Sequence, residues 1–287
     1  MIRSILLSLS LVLLMSCGLT QKIALNTTTG LFKYGIDALY AEPDLEVAKI
    51  ATAANLKLLE GFHLADPNKK ELLIILAQGY SSYSLGFLED EHPERASDMY
   101  LRAKAFGVQL LMKLKAFKDG IPKNDDKLKA ALAKLDKKDV PALFWTSFAW
   151  AGWVNLNRDK PEAVFDLSRV KTMMDRVIEL DETFFFGAAH LFWGSIHGSI
   201  PRMLGGDPDK AKESFERALE LTDGKSLITY VYYARYYAAP TLNEELFDEL
   251  LKKVEDAPMN ILPGFELFTS LAKHKAAALM AQKADLL

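Results

Sequence analysis

Residues 80–103 read Tyr80-Ser-Ser-Tyr83-Ser84-Leu-Gly-Phe87, eight further residues, then Ala96-Ser-Asp-Met-Tyr100-Leu-Arg-Ala103. These are the spacings of the tetratricopeptide pattern W-x2-L-G-x2-Y, eight residues, then A-x3-F-x2-A, with aromatic residues exchanged for Trp, Leu and Phe. Large residues interlock the two helices of such a pair, and small ones let the backbones approach. The second half of the pattern recurs as Ala211-x3-Phe215-x2-Ala218. A degenerate copy, Val170-x3-Met174-x2-Val177, ends in Ile178-Glu179-Leu180-Asp181, close to an L-E-L-D-P exit. Another, Phe247-x3-Leu251-x2-Val254, ends at Ala257-Pro258, and Leu59-x2-Phe62 before Asp66-Pro67 closes an earlier unit. A single A-x3-F-x2-A is common on amphipathic helices; several in order, each after a helix of suitable length, point to a repeat.

Outward from this stretch, apolar residues recur at three and four, and no convincing alternating run appears. Breakers fall at regular places, among them Pro43, Pro93, Gly120, Pro141, Pro161, Gly205 to Pro208, Gly224, Pro240, Pro258 and Pro263. The expected fold is all-α, with tetratricopeptide-like antiparallel helix pairs stacked into a compact superhelix. An irregular α-bundle is the alternative. Residues 104–140 break the regularity. Asp125 to Leu135 reads as a surface helix, with Leu128, Ala131, Leu132 and Leu135 opposite Lys127, Lys129, Lys134 and Lys137.

The N-terminus carries Arg3, a short apolar run, and Leu14-Met15-Ser16-Cys17-Gly18. The run is shorter than the ~20 residues that span a bilayer and has the parts of a secretory signal. A cysteine after the cut makes it a bacterial lipoprotein signal similar to L-[AST]-[GA]-C, from which Met15 and Ser16 depart mildly. An uncleaved tether or a plain secretory signal is the alternative. The expected organisation is a signal peptide over 1–16, a tether over 17–29 beginning at a lipid-bearing Cys17, and one helical domain over 30–287. Gly18 rather than Asp after the cysteine favours the outer membrane, facing the periplasm, in a host with two membranes. Cys17 is the only cysteine, so no disulfide or cysteine–zinc site is expected.

The chain has 35 basic and 38 acidic residues, a formal charge of −3. Loss of Arg3 with the signal makes this −4. Such a balance argues against nucleic acid as a partner. There is no G-x-S-x-G elbow, P-loop or H-E-x-x-H. His190 and His197 are two helical turns apart, about 10 Å by helix rise, too far for one metal ion. Neither an enzyme nor a cofactor or metal site is expected; catalysis with His190 or His197 as base is the least favoured reading.

Aromatic residues cluster in the first helix of successive pairs: Phe144 to Trp153, Phe184 to Trp193, and Tyr230 to Tyr237. In a superhelix those helices line the concave side. Trp145, Phe148, Trp153, Phe192, Trp193 and Tyr233 are therefore candidates for an apolar groove, with His190, His197 and Arg202 as its polar groups. Arg202 is expected at a mouth or paired, with Asp207 the nearest acid. A cavity of ~300 Å³ or more touching this set is the mark of a solute site; close packing on all sides favours a scaffold.

The runs Gly187-Ala188-Ala189-His190, Trp193-Gly194-Ser195-Ile196, Ile200-Pro201, Leu204-Gly205-Gly206-Asp207, Lys210-Ala211 and Phe215-Glu216-Arg217-Ala218 resemble the hallmark stretch of the TatT family. These are the tetratricopeptide-containing components associated with TRAP (tripartite ATP-independent periplasmic) transporters. Leu242 to Val254 and Arg176 to Asp181 continue the likeness, which covers roughly Leu45 to the C-terminus. It departs at Glu182, where an exit proline is expected, and in the 104–140 insert. The resemblance implies a periplasmic lipoprotein working beside a TRAP-type solute-binding protein, a homo-oligomer, and an apolar ligand-sized pore, with no enzymatic role. On the first functional reading, the apolar passage holds a hydrophobic solute with an acidic head, met by Arg202 or His190. A tetratricopeptide scaffold that organises envelope complexes without a small-molecule ligand is the other reading.

Overall fold

The computed structural model describes residues 32–200 and 202–287, and every regular element among them is helical. Residues 1–31, with Cys17 and the signal and tether segments, lie outside the described residues. Helix α1 covers 32–40. There follow α2 (Leu45–Ala65), α3 (Lys70–Phe87), α4 (Pro93–Met112), α5 (Asp125–Leu132), α6 (Val140–Leu156), α7 (Pro161–Asp181), α8 (Phe184–Ser199), α9 (Pro208–Glu220), α10 (Leu227–Tyr233), α11 (Glu244–Asp256), α12 (Glu266–Ala281) and α13 (Lys283–Leu286). A π-helical turn, Ala234–Ala238, continues α10.

Starts and stops follow local chemistry. Proline opens α4, α6, α7 and α9 in the first turn, where a missing N–H costs nothing. Asp44, Asn124, Asp207 and Asn243 accept backbone N–H groups at the starts of α2, α5, α9 and α11. Helix α6 is apolar almost all round because it is buried on most sides. Its Thr146 and Ser147 bond back to the carbonyls of Ala142 and Leu143, each at 2.7 Å, so their burial leaves no hydroxyl unmatched.

The main pairs are α3 with α4, α6 with α7, and α8 with α9, and α4 also packs along α6. The repeat residues form the seams. Ala96, Tyr100 and Ala103 are buried, as are Val170, Met174 and Val177, Ala211, Phe215 and Ala218, and Phe247, Leu251 and Val254. The repeat aromatics of the first and third pairs, Tyr100 and Phe215, each face a glycine. A Cβ on Gly152 would lie 2.4 Å from the Tyr100 ring, and one on Gly194 would lie 2.7 Å from the Phe215 ring.

The first and last parts of the described residues meet. The Tyr40 ring stacks on Phe265 at 5.4 Å and edges Phe268 at 5.1 Å, and Ser270 Oγ donates to the Pro43 carbonyl at 2.8 Å. In the insert, Leu128, Ala131, Leu132 and Leu135 are all buried. The regular helix stops at Leu132, and Arg176 of α7 fastens the segment by donating to the carbonyls of Leu132 and Leu135 at 3.1 and 2.8 Å.

One departure from the expected helices shapes the interior. Phe184 does not continue directly into a right-handed helix. Phe185, Phe186 and Gly187 take left-handed conformations with φ of 46°, 60° and 70°. Left-handed turns cost L-residues roughly 1–2 kcal/mol each. Here the turn drives two phenyl rings inward: Phe185 meets Trp145 at 4.7 Å and Phe268 at 5.9 Å, while Phe186 meets Phe265 at 5.3 Å. An aromatic belt thus runs from α6 to α12.

Candidate functional site

Between the pairs lies a string of adjoining voids. One of about 100 Å³ is walled by Phe148, Ala151, Gly152, Leu191 and Phe192, with Glu89, Tyr100, Asn155, Arg158, Tyr232 and Tyr236 at its polar side. A second of about 80 Å³ shares Phe148, Ala188 and Leu191 with it and reaches Phe185, Phe186 and Phe268. A third of about 160 Å³ shares Ala151, Phe192 and Ile196 and runs out past Val164 and Ile200. A fourth of about 190 Å³ shares Glu89, Asn155, Tyr232 and Tyr236 and is polar, with Asp90, Arg235 and Lys275. A larger void than these, about 230 Å³, lies apart under α1, α2, α3 and α12 and shares Phe268 with the string.

Of the residues singled out in the sequence, Phe148 and Phe192 stand on the walls of this string. Trp145 is 2% exposed and enclosed by Phe144, Phe148 and Phe185. Tyr233 is 4% exposed and stacks on Phe215 at 5.1 Å. Trp153 is half-buried, with the Lys104 ammonium 5.2 Å from its ring. Trp193 stacks on His197 at 5.1 Å and faces Lys171 of α7. No single described void touching the set reaches ~300 Å³; the set divides between void walls and close-packed core.

The polar candidates also separate. His190 Nε2 lies 3.1 Å from Glu182 Oε2, and Arg217 donates to the same carboxylate from Nε at 3.1 Å and from a terminal nitrogen at 2.5 Å. Burial lowers the His190 pKa, against the pull of Glu182. The Arg217 bonds hold Glu182 below the usual carboxylate range. Glu182, at the place of the expected exit proline, ties the α7–α8 turn to α9. His197 is lowered by burial too. Arg202 is exposed and pairs with Asp209 at 3.1 Å. The expected partner Asp207 instead caps α9 through the Lys210 N–H at 3.2 Å.

The polar groups that do border the voids carry no motif in the sequence. Glu89 follows α3 and is enclosed deeply enough that burial pushes its carboxyl up to about 7, against the Tyr100 hydroxyl and the Lys275 charge. The Tyr100 hydroxyl donates to Glu89 Oε1 at 2.7 Å. Asp90 pairs with Lys275, and with Arg235 at 3.4 Å. Burial also raises Tyr232 and Tyr236. Leu88-Glu89-Asp90-Glu91 reads as an ordinary acidic loop; only the tyrosine cluster at 230–237 hints at a special environment. Among the described residues no group of three His, Cys, Asp or Glu is placed to hold a metal ion, and no helix is long and apolar enough to cross a membrane.

A comparison with curated proteins finds no match. The family comparison agrees with the stretch around Gly187 to Ala218: residues 41–287 match the family described as TRAP transporter T-component, and the chain belongs to that family.

Proposed function

We propose that this T component is a lipid-anchored protein facing the periplasm, held by an acyl group on Cys17, that docks the solute-binding protein of its transporter and holds an apolar, acid-headed solute between its helix pairs. Family membership supports an accessory role in a TRAP system. The observation that carries the solute is the string of voids walled by Phe148, Leu191 and Phe192. An apolar wall with a few polar groups at one end is the usual build of a small-molecule site. The head is met at the Glu89 end rather than at His190 or Arg202, whose charges are matched elsewhere.

Sedimentation of the chain with the solute-binding protein of the same transporter tests the docking. A complex is expected; two separate boundaries at tens of micromolar overturn it. The same run reports self-association. Labelled palmitate tests the anchor: incorporation lost in Cys17→Ser supports it, and incorporation that persists overturns it. A scaffold without a solute is favoured by the close packing of Trp145, Trp150 and Tyr233 and by the size of the voids that touch the candidate set, each below the ~300 Å³ of a usual small-molecule site. Organic extraction of protein purified from its host separates the two readings, since only a solute carrier should yield a stoichiometric amphiphile.

A further inference from the structure

The polar end of the voids holds groups that protein atoms leave unanswered. Glu89 is faced by Tyr100 from α4, Asp90 from its own turn, Lys275 from α12, and Tyr232, Arg235 and Tyr236 from α10 and its π-helical turn. Arg158, just past α6, reaches the same space. Tyr100 satisfies one Glu89 oxygen at 2.7 Å. Asp90 is matched by Lys275 and Arg235. The second Glu89 oxygen and the hydroxyls of Tyr232 and Tyr236 have no partner among the described residues. The Arg158 guanidinium meets only the Asn155 side-chain oxygen, with no carboxylate. Glu89, Tyr232 and Tyr236 are half-buried on the wall of one void, so these groups open into its space rather than into packed protein. Three such groups around one void are what a ligand or its head group would answer. The π-helical turn beside them is a kind of irregularity frequent at functional sites.

Building on the solute reading above, we propose that Glu89, Tyr232, Tyr236 and Arg158 form the head-group site for a single-chain carboxylic acid, and that Glu89 carries a proton when the site is filled. The two tyrosine hydroxyls donate to the ligand carboxylate, and Arg158 supplies its counter-charge. The protonated Glu89 carboxyl donates its O–H to the ligand, so one proton is shared between two carboxyl groups. The alkyl chain lies along Phe148, Ala151, Phe192 and Ile196. With Glu89 neutral, the three positive charges of Arg158, Arg235 and Lys275 outnumber the single negative charge of Asp90, and this net positive surround repels an amine head. The burial that places the Glu89 carboxyl near neutrality makes the shared proton available at physiological pH, and a ligand anion beside it raises its proton affinity further.

Isothermal titration with decanoate, on the full chain left unlipidated by Cys17→Ser, tests this between pH 6 and 9 in buffers of different ionisation enthalpy. Decanoate affinity is expected to fall above pH 7 by up to about tenfold per pH unit, with uptake of up to about one proton. Glu89→Gln, a neutral mimic of the protonated carboxyl, should bind decanoate with a flat profile and no proton uptake. Tyr236→Phe should weaken decanoate about tenfold, as loss of one charged hydrogen bond does, and barely change 1-decanol. A flat wild-type profile, or a slope that survives in Glu89→Gln, overturns the head-group assignment while leaving the apolar passage standing. The wild-type proton uptake and Tyr236→Phe decide the matter even where Glu89→Gln does not fold. Binding of neither decanoate nor 1-decanol overturns the solute reading, and this inference with it.

Discussion

Tyr100 donates its hydroxyl to Glu89 Oε1 at 2.7 Å across the turn that joins α3 to α4. Tyr100 is the aromatic at the centre of the repeat pattern, where phenylalanine is the usual residue, and its ring lies against Gly152. One residue thus belongs both to the seam of a helix pair and to the wall of the central void. The hydroxyl that distinguishes it from phenylalanine is what anchors the buried carboxyl.

Tyr100→Phe keeps the ring and removes that donor. The Glu89 oxygen left behind should cost about 1–3 kcal/mol of stability, read from urea melts. The bond pulls Glu89 down, so its loss should move the carboxyl midpoint upward from about 7, followed by carbon NMR.

Glu89 also gives stability a pH dependence. Its folded pKa, raised to about 7 by burial, stands above the ordinary glutamate value of 4.5. The favourable contribution is fully present below about 4.5 and is lost as pH rises through about 7. Burial lowers His63, His190 and His197 and tilts the wild-type curve the other way, so the difference between proteins is the readout. Glu89→Gln should gain on wild type through that window by on the order of 3 kcal/mol and hold level above it. A difference that stays constant from pH 4.5 to 8 contradicts this.

Phe215 closes over Gly194 with Ala211 and Ala218 on either side, and all three are completely buried. Phe215→Ala should cost about 3–5 kcal/mol through the cavity it leaves. A bulky residue at 218 should cost about 1–3 kcal/mol by overpacking the seam. Wild-type melting of both variants would mean that this seam is not where α8 and α9 are held.

Gly187 ends the left-handed turn with φ of 70°, and a Cβ there would come within 3.1 Å of Leu221. Gly187→Ala should therefore lose about 1–2 kcal/mol, measured by thermal or urea unfolding. Gly61 lies in a right-handed helix with open space where a Cβ would stand. The same substitution there should instead gain roughly 0.5–1 kcal/mol.

The helix pairs were legible because their seams repeat at fixed spacing: Ala96, Tyr100 and Ala103 state the rule and Ala211, Phe215 and Ala218 restate it. Within the insert, which breaks that spacing, only one helix was legible, from the apolar face of Leu128 to Leu135, and the regular helix stops at Leu132. The turn at Phe185 to Gly187 was not legible. A run of three phenylalanines has no local preference for positive φ, and contacts with Trp145, Phe265 and Phe268, all distant in sequence, hold it there. The candidate groove was legible only as a region. Spacing put aromatic residues on inner helices, but whether a ring packs like Trp145 or borders a void like Phe148 depends on which helix lies opposite. Glu89 was hidden altogether, because its environment is built by α4, α10 and α12 rather than by its neighbours.

The most direct test of solute holding is equilibrium binding of decanoate to wild type and to Ala151→Phe. Ala151 is half-buried where two of the voids adjoin, so the added ring takes up space assigned to the alkyl chain. The predicted result is saturable binding by wild type and at least a tenfold loss in the variant, with the variant still folded by circular dichroism. Equal binding by the two proteins would contradict it.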